Sequence, residues 1–213
     1  MKKIVALFDF DGVVVDTESQ YTEFWNRAGK ECLGLDDFGH TIKGQTLKQI
    51  SAKYFEGKDE MLAKIVPELD AFESAMSYEY IPGAFEMMKE LKEAGMPVAI
   101  VTSSNDIKMA QAYKAHPELL AMVDAVLTSE CFTNSKPDPE CFLKGMEHLG
   151  GTPENTVVFE DSFHGISAGR ASGAFVVGLA TTNKREDIAP RCDYVIDDFT
   201  GLTVSKLLEL IAR

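Results

Sequence analysis

No apolar stretch in this sequence approaches the roughly 20 residues needed to cross a bilayer, which excludes an ordinary transmembrane helix. Cysteine is scarce. Cys32, Cys131, Cys141 and Cys192 have neither C-x-x-C nor metal-ligand spacing, so they read as buried or idle thiols. The four histidines are scattered: His40, His116 and His148 read as surface or helix-end residues, and His164 as a loop residue beside more interesting neighbours. Positive charge is short too, with 21 lysines and arginines against 34 acidic residues and a net charge of −13. Such a field repels nucleic acid and anionic membranes. It also repels a phosphorylated substrate, so an anion site here has to be locally positive. Internal repeats and low-complexity tracts are absent. The start, MKKIVALFDFDG, has the basic-then-apolar look of a signal peptide. Its apolar run is too short and reaches aspartates where a small-residue cleavage site would stand. It reads as a first strand, and the chain as soluble and cytoplasmic.

What is present is enough apolar residue, 45% of 213 positions, to fill one large domain or a domain with a smaller companion. Short apolar runs recur at 4–8, 98–101, 123–127, 156–159, 174–179 and 194–196. Most are continuously apolar rather than alternating, as strands covered on both faces are. Helical patterns separate them. Phe85, Met88 and Leu91 begin one, which Gly95 ends. Asp138-Pro139 reads as an N-cap and first helical position for another, with Phe142, Leu143, Met146 and Leu149 on one side and Gly150-Gly151 as its stop. Strand and helix in alternation predict an α/β fold with a parallel sheet and right-handed crossovers.

The segment from Asp16 to about Tyr80 breaks the alternation, with helical stripes and no convincing strand. Thr17-Glu18-Ser19-Gln20 fits a capping box, followed by Tyr21, Phe24, Trp25 and Ala28 at helical spacing. Residues 46–54 carry Leu47, Ile50 and Tyr54. Met61, Ile65, Leu69, Phe72 and Met76 form a third stripe, which Pro67 kinks or splits into two helices. Ile81-Pro82-Gly83 reads as the return. The expected organisation is a core of residues 1–15 and 82–213 with a helical insertion at 16–81.

Ligands of parallel sheets bind beyond the carboxyl ends of the strands. There stand Asp9, Asp11 and Gly12 after the first strand, and Thr102, Ser103 and Ser104 after the second. Ser135-Lys136-Pro137 precedes a later helix, and Glu160, Asp161 and Ser162 follow the strand at 156–159. Each has an ordinary alternative. Asp-Gly is common turn chemistry, Thr102 can be a plain strand-end hydroxyl and Lys136 a solvated lysine. Asp161 can cap a helix, although Ser162 can do so instead, and Glu160 can stand behind the site. Together the groups have one coherent use. Clustered carboxylates repel unless a cation joins them, and oxygen-only ligands favour a hard ion such as Mg²⁺, which shares substrate phosphate oxygens. Asp9 is then the nucleophile, giving an aspartyl-phosphate. Asp11 protonates the leaving oxygen and later deprotonates water. Thr102 and nearby amides hold the phosphoryl oxygens, with Gly12, Ser103 and Ser104 as candidate substrate-binding positions. Lys136 neutralises charge that develops in transfer.

The four pieces DFDGVVVDT (9–17), VTSS (101–104), SKPDPECF (135–142) and FEDSFHGISAG (159–169), in this order, resemble the haloacid dehalogenase superfamily. More narrowly, the chain is similar to its β-phosphoglucomutase and phosphoglycolate phosphatase-like branch. The resemblance implies a Rossmann-like core with helices on both faces and a small α-helical cap inserted after the first motif. It implies Mg²⁺ on the Asp9 side chain, the Asp11 main-chain carbonyl and Asp161, with Glu160 contributing, and a monomer. It also implies that Lys43-Gly44, before the second cap helix, reaches the substrate; the alternative is a plain solvated turn.

The expected activity is hydrolysis of a small phosphorylated metabolite, a sugar phosphate or similar monoester. A hexose-phosphate mutase is the alternative within the same chemistry. The mutase carries a histidine where this chain has Tyr21, and an arginine that grips the distal phosphate where it has Leu47. Lys48 or Lys53 could replace that contact. A carbon–halogen hydrolase needs neither Mg²⁺ nor the second acid, so Asp11, Glu160 and Asp161 argue against it. A non-catalytic binding module would leave the reactive groups without use.

Overall fold

The computed structural model describes residues 3–43 and 45–212. Six strands form one parallel sheet: β1 Val5–Phe8, β2 Val98–Val101, β3 Ala125–Leu127, β4 Thr156–Glu160, β5 Phe175–Leu179 and β6 Tyr194–Ile196. Their order is β3-β2-β1-β4-β5-β6. All six strands expected from the sequence are present, within a residue or two at their ends. β1, β2 and β4 are buried throughout, so their unbroken apolar character reflects cover on both faces.

The helices of the core are α5 Ala84–Glu93, α6 Asp106–Ala115, α7 Leu119–Met122, α8 Glu140–Leu149, α9 Phe163–Ala171, α10 Arg185–Ile188 and α11 Val204–Ile211. The insertion holds α1 Glu18–Leu33, α2 Phe38–Thr41, α3 Leu47–Tyr54 and α4 Asp59–Ala75. Alternate strand residues feed two separate apolar layers. Ala6, Phe8, Ile100 and Phe159 pack with Met88 of α5, Met109 of α6 and Leu207 of α11. Val5, Leu7, Val101 and Val158 pack with Phe142 of α8 and Ile166 of α9. Phe8 and Phe159 pair in register and stack at 4.5 Å between ring centroids. The insertion has an apolar cluster of its own, built on Phe24, Trp25, Phe38, Ile50, Phe55 and Ile65. Each of these side chains contributes about 1.5–3 kcal/mol on burial.

Three local expectations need correction. Thr17 does not form a capping box. Its backbone is helical (φ −111°, ψ −17°) rather than extended, and its hydroxyl donates to Asp11 and accepts from no helix amide. Pro67 does not split the third stripe, because α4 runs through it. Burial of Ile65 and Leu69 on either side offsets the roughly 3 kcal/mol that an interior proline costs. Asp138 works one position earlier than expected. Its Oδ1 accepts from the Glu140 amide at 2.9 Å, and the helix begins after Pro139.

The two connections to the insertion run side by side. The Asp16 amide donates to Glu79 O at 2.8 Å and the Ile81 amide to Val14 O at 2.9 Å, around a bridge between Val15 and Tyr80. Pro82-Gly83 lies on the core side, where Phe199 N donates to Pro82 O at 3.0 Å. Among the described residues no helix is long and apolar enough to cross a membrane.

Candidate active site

From β1 the chain proceeds to β2 and β3 on one side of the sheet, and β4, β5 and β6 lie on the other. The order therefore reverses between β1 and β4, which opens a crevice at their carboxyl ends. Asp9 leaves β1 at this point, its amide donating to Phe159 O of β4 at 3.0 Å. Glu160 ends β4 and Asp161 follows. Lys136 reaches in from the loop before α8. The insertion stands over this edge, and a cavity of about 310 Å³ lies between the two, lined by Asp9, Asp11, Thr102, Lys136 and Asp161 from the core and by Lys43 from the insertion.

Lys136 is 2% exposed and joins two carboxylates. Its Nζ donates to Asp9 Oδ1 at 2.6 Å, to Glu160 Oε1 at 2.7 Å and to Val101 O at 3.3 Å. Burial alone would lower the lysine's pKa, but Asp9 and Glu160 outweigh it and raise it. The Asp9 carboxyl is pushed up to about 7 by burial. Lys136 pulls the other way, and the charges of Glu160 and Asp11 add to the rise. Asp161 rises well above the usual carboxylate range, through burial first and then Glu160, Glu18 and Asp9.

Glu160 is fully buried. Its Oε2 accepts from the Asp161 amide at 2.9 Å, the Ser162 amide at 2.9 Å and Ser162 Oγ at 3.0 Å. Oε1 has Lys136 alone and keeps a lone pair. Ser162, not Asp161, caps α9, accepting from the Gly165 amide at 3.0 Å. Gly165 has to be glycine, since a Cβ there would overlap the Glu160 carboxylate. Gly12 turns the chain at φ +73°, and a Cβ on it would run into Asp161 Oδ2. The loop after β5 braces this side: Thr181 Oγ1 donates to Gly12 O at 2.6 Å and Asn183 Nδ2 to Asp161 O at 2.9 Å.

Among the described residues, Asp9, Glu160 and Asp161 offer carboxylate oxygens within 4.8 Å of one another. Asp161 Oδ2 is buried and has no hydrogen-bond partner. A buried, unpartnered carboxylate oxygen is costly, and a hard cation among oxygen donors removes that cost. The donor set therefore fits such an ion. The local charge fits it as well. The expected locally positive anion site is absent from the side chains alone, because carboxylates outnumber lysines around the cavity and Lys136 and Lys108 are already paired.

The Asp11 side chain does not join the cluster. Thr17 Oγ1, Lys108 Nζ and Ser104 Oγ (2.7 Å) all donate to it. Burial would raise its pKa, yet Lys108 and the hydrogen bonds from Lys108, Thr17 and Ser104 overcome this and lower it. Ser104, expected to face substrate, thus has its hydroxyl committed to Asp11. Its amide donates to Thr102 Oγ1 at 3.0 Å, which leaves the Thr102 hydroxyl proton free. Ser103 is half-buried and lines the cavity. Lys43 lines it from above, 3.9 Å from Glu18 Oε2. Gly44 lies outside the described residues. His164 sits in the first turn of α9 rather than in a loop.

Sequence reasoning missed Lys108, Glu18 and the role of Thr17. Lys108 carried a signal. Asn105 caps α6 by accepting from the Lys108 amide at 2.8 Å, which puts a lysine in the first helical turn. A cation there opposes the helix dipole and calls for a nearby anion.

Residues 6–179 match the haloacid dehalogenase-like hydrolase family. The validoxylamine A 7'-phosphate phosphatase of Streptomyces hygroscopicus subsp. limoneus is 29% identical over 92% of this chain and 94% of its own. Hexitol phosphatase A of Escherichia coli K12 is 30% identical over 94% of this chain and 93% of its own. A β-phosphoglucomutase structure from Clostridium difficile superposes with a TM-score of 0.80 at 20% identity, covering 99% of this chain and 97% of that one. By its motifs, its fold and the extent of the match, the chain belongs to the haloacid dehalogenase-like hydrolase family.

Proposed function

We propose that this enzyme is a Mg²⁺-dependent phosphatase that hydrolyses a small phosphorylated metabolite through an aspartyl-phosphate on Asp9. The observation that carries the reading is the different setting of two neighbouring carboxylates. Asp9 faces Lys136, Glu160 and Asp161 at the switch point, while Asp11 is held apart by Lys108, Thr17 and Ser104. One group is built to meet phosphorus beside a cation, the other to handle protons. The side chains of Asp9 and Asp161 and Glu160 Oε1 would hold the ion, with the Asp11 main-chain carbonyl that the family resemblance adds. Bound there, Mg²⁺ would keep Asp9 ionised and offset phosphate charge.

Asp11, a carboxylate among its three donors, takes up the acidic proton of a monoprotonated phosphate ester as substrate binds; Asp9 then attacks phosphorus as the bond to the leaving oxygen breaks, and Asp11 gives that oxygen the proton. Asp11, now a carboxylate, takes a proton from the water that attacks phospho-Asp9, and inorganic phosphate leaves. Lys136 and the free Thr102 hydroxyl proton stabilise the phosphoryl oxygens. The helical insertion, residues 16–81, acts as a lid that excludes bulk water. The two relatives named as phosphatases support hydrolysis. Leu47 does too: it lines the cavity where the mutase pattern places an arginine. A sugar or polyol monophosphate suits a cavity of this size.

The test is a phosphate-release screen over sugar and polyol monophosphates, phosphoglycolate, nucleotides and pyrophosphate, with and without Mg²⁺. β-Glucose 1-phosphate with catalytic β-glucose 1,6-bisphosphate runs beside it. Mg²⁺-dependent phosphate release from a monoester is expected. Glucose 6-phosphate appearing much faster than phosphate would overturn the assignment in favour of a mutase.

A further inference from the structure

Among the described residues, Lys108 is the one buried lysine that the chemistry above leaves without a role of its own. It is 3% exposed, and a buried ammonium is costly unless paired. Its partner is Asp11, whose side chain is itself 14% exposed. The other side of the ammonium is covered by the ring of Tyr21, with Nζ 4.3 Å from the ring centroid. Tyr21 belongs to α1, and its hydroxyl donates to Glu73 Oε1 of α4 at 2.7 Å. α4 in turn packs against α6, which carries Lys108. A continuous set of contacts therefore runs from two helices of the insertion, through one core lysine, to the carboxylate that handles protons.

We propose that Lys108 is a positioning residue for Asp11, and that the Tyr21 ring completes this arrangement when the insertion is seated on the core. The proposal rests on the reading of Asp11 as the proton donor to the leaving group. Three donors grip Asp11, but they differ in kind. Ser104 comes from the loop after β2 and Thr17 from the connection into the insertion; both supply a neutral hydroxyl. Lys108 alone is charged, and it approaches from a helix whose first turn Asn105 fixes. All three bonds end on a carboxylate, but Lys108 alone adds a full opposite charge at a buried position, so its Coulomb attraction dominates the orientation of the carboxylate. Water would compete for the ammonium if the insertion lifted away. The Tyr21 face excludes that water and contributes a cation–π contact. Asp11 is thereby aimed at the leaving oxygen chiefly while the lid is down.

The experiment compares kcat/KM for an alkyl phosphate, glycerol 1-phosphate or a hexitol phosphate as the screen dictates, with that for p-nitrophenyl phosphate. This ratio reports the steps up to loss of the leaving group, and p-nitrophenolate departs without a proton. Asp11→Asn sets the benchmark: a loss of about 1,000-fold on the alkyl ester and under 10-fold on the aryl ester is expected. Lys108→Met keeps the apolar stem and should show the same discrimination, losing about 30-fold on the alkyl ester and under 3-fold on the aryl ester. Lys108→Arg should recover most of the alkyl activity. Tyr21→Leu should lower alkyl activity in the wild-type background, and in the Lys108→Met background by less than about 2-fold. Thermal melts confirm folding, and Lys108→Gln replaces Lys108→Met if the latter does not fold. Equal losses on both esters from the Lys108 variants would mean a purely structural lysine and overturn the proposal. Independent effects of Tyr21 and Lys108 would overturn the link to the lid. If Asp11→Asn itself shows no discrimination, the proton-donor reading fails, and this proposal falls with it.

Discussion

Asp9 and Asp11 differ by two positions and meet opposite electrostatic environments. Burial dominates at Asp9 and lifts its carboxyl to about 7, whereas at Asp11 Lys108 and three hydrogen bonds outweigh burial and lower it. Two predictions follow at this scale. Asp9→Asn should abolish turnover, by about 10⁴-fold or more, with the melting temperature kept or raised, since an amide is a poor nucleophile and carries no buried charge. Steady-state assays with a differential scan check this. The second concerns pH. Between the ordinary carboxylate pKa and about 7, folded Asp9 binds more proton than unfolded Asp9, so the cation-free protein loses stability as pH rises through that window. Asp11 acts with the opposite sign but below that window, where acid removes its contribution. Melting temperatures in EDTA should fall from pH 5 to pH 7, and stabilisation by millimolar Mg²⁺ should grow over the same interval. A flat EDTA profile would contradict the assigned environment of Asp9. The gathering of Asp9, Asp11, Glu160, Asp161 and Lys136 at one sheet edge was legible in the sequence because the acids follow strands and Lys136 stands in the loop before a helix, where the topology of a parallel sheet brings such groups together. Lys108 was less legible, because its value depends on a neighbour 97 residues away. Ser104 was assigned to substrate because sequence does not show which way a hydroxyl turns.

At the scale of elements, α9 is the part most tightly bound to the chemistry. Its first turn closes over the Glu160 carboxylate, and Gly165 leaves no space for a Cβ. Gly165→Ala should therefore cost about 1–3 kcal/mol by overpacking and weaken Mg²⁺ binding, read by chemical denaturation and by Mg²⁺ titration of activity. Normal values for both would contradict the packing described. In the insertion, α3 reaches the core through Gln49 Nε2, which donates to Lys136 O at 3.1 Å, and the loop before α3 brings Lys43 over the cavity. Lys43→Ala should reduce kcat/KM for the physiological ester more than for a small aryl phosphate; equal effects would count against a leaving-group contact. The central strands β1, β2 and β4 could be read from continuous apolar runs, since burial on both faces leaves no room for alternation, while β3 and β6 at the sheet edges are short and partly exposed. The start of α1 was misread because Thr17-Glu18-Ser19-Gln20 has the letters of a capping box, while tertiary structure spends the Thr17 hydroxyl on Asp11. The split expected as one alternative at Pro67 fails for a related reason: apolar burial along α4 outweighs the local penalty.

For the whole molecule, a sheet that reverses its order between β1 and β4 supplies a fixed crevice, and an insertion with its own apolar core supplies a cover. The insertion enters and leaves through two connections paired around Val15 and Tyr80, so it has few covalent ways to move other than about that pair. In the sequence the same stretch stood out as an interruption of the strand–helix alternation, and four helices, α1 to α4, fill it. The placement of these helices over the crevice, and the excess of carboxylates around the cavity, needed the assembled structure. The central claim is that the phosphoryl group passes through Asp9. The most direct test is to mix enzyme, Mg²⁺ and the best ester from the screen, quench in acid within milliseconds, and map phosphorylation by mass spectrometry after hydroxylamine or borohydride trapping. The account predicts a single acyl-phosphate, on Asp9, that forms and decays at rates consistent with turnover and is missing from Asp9→Asn. Turnover without a phosphorylated Asp9, or phosphate release by cleanly purified Asp9→Asn at near wild-type rate, would contradict it.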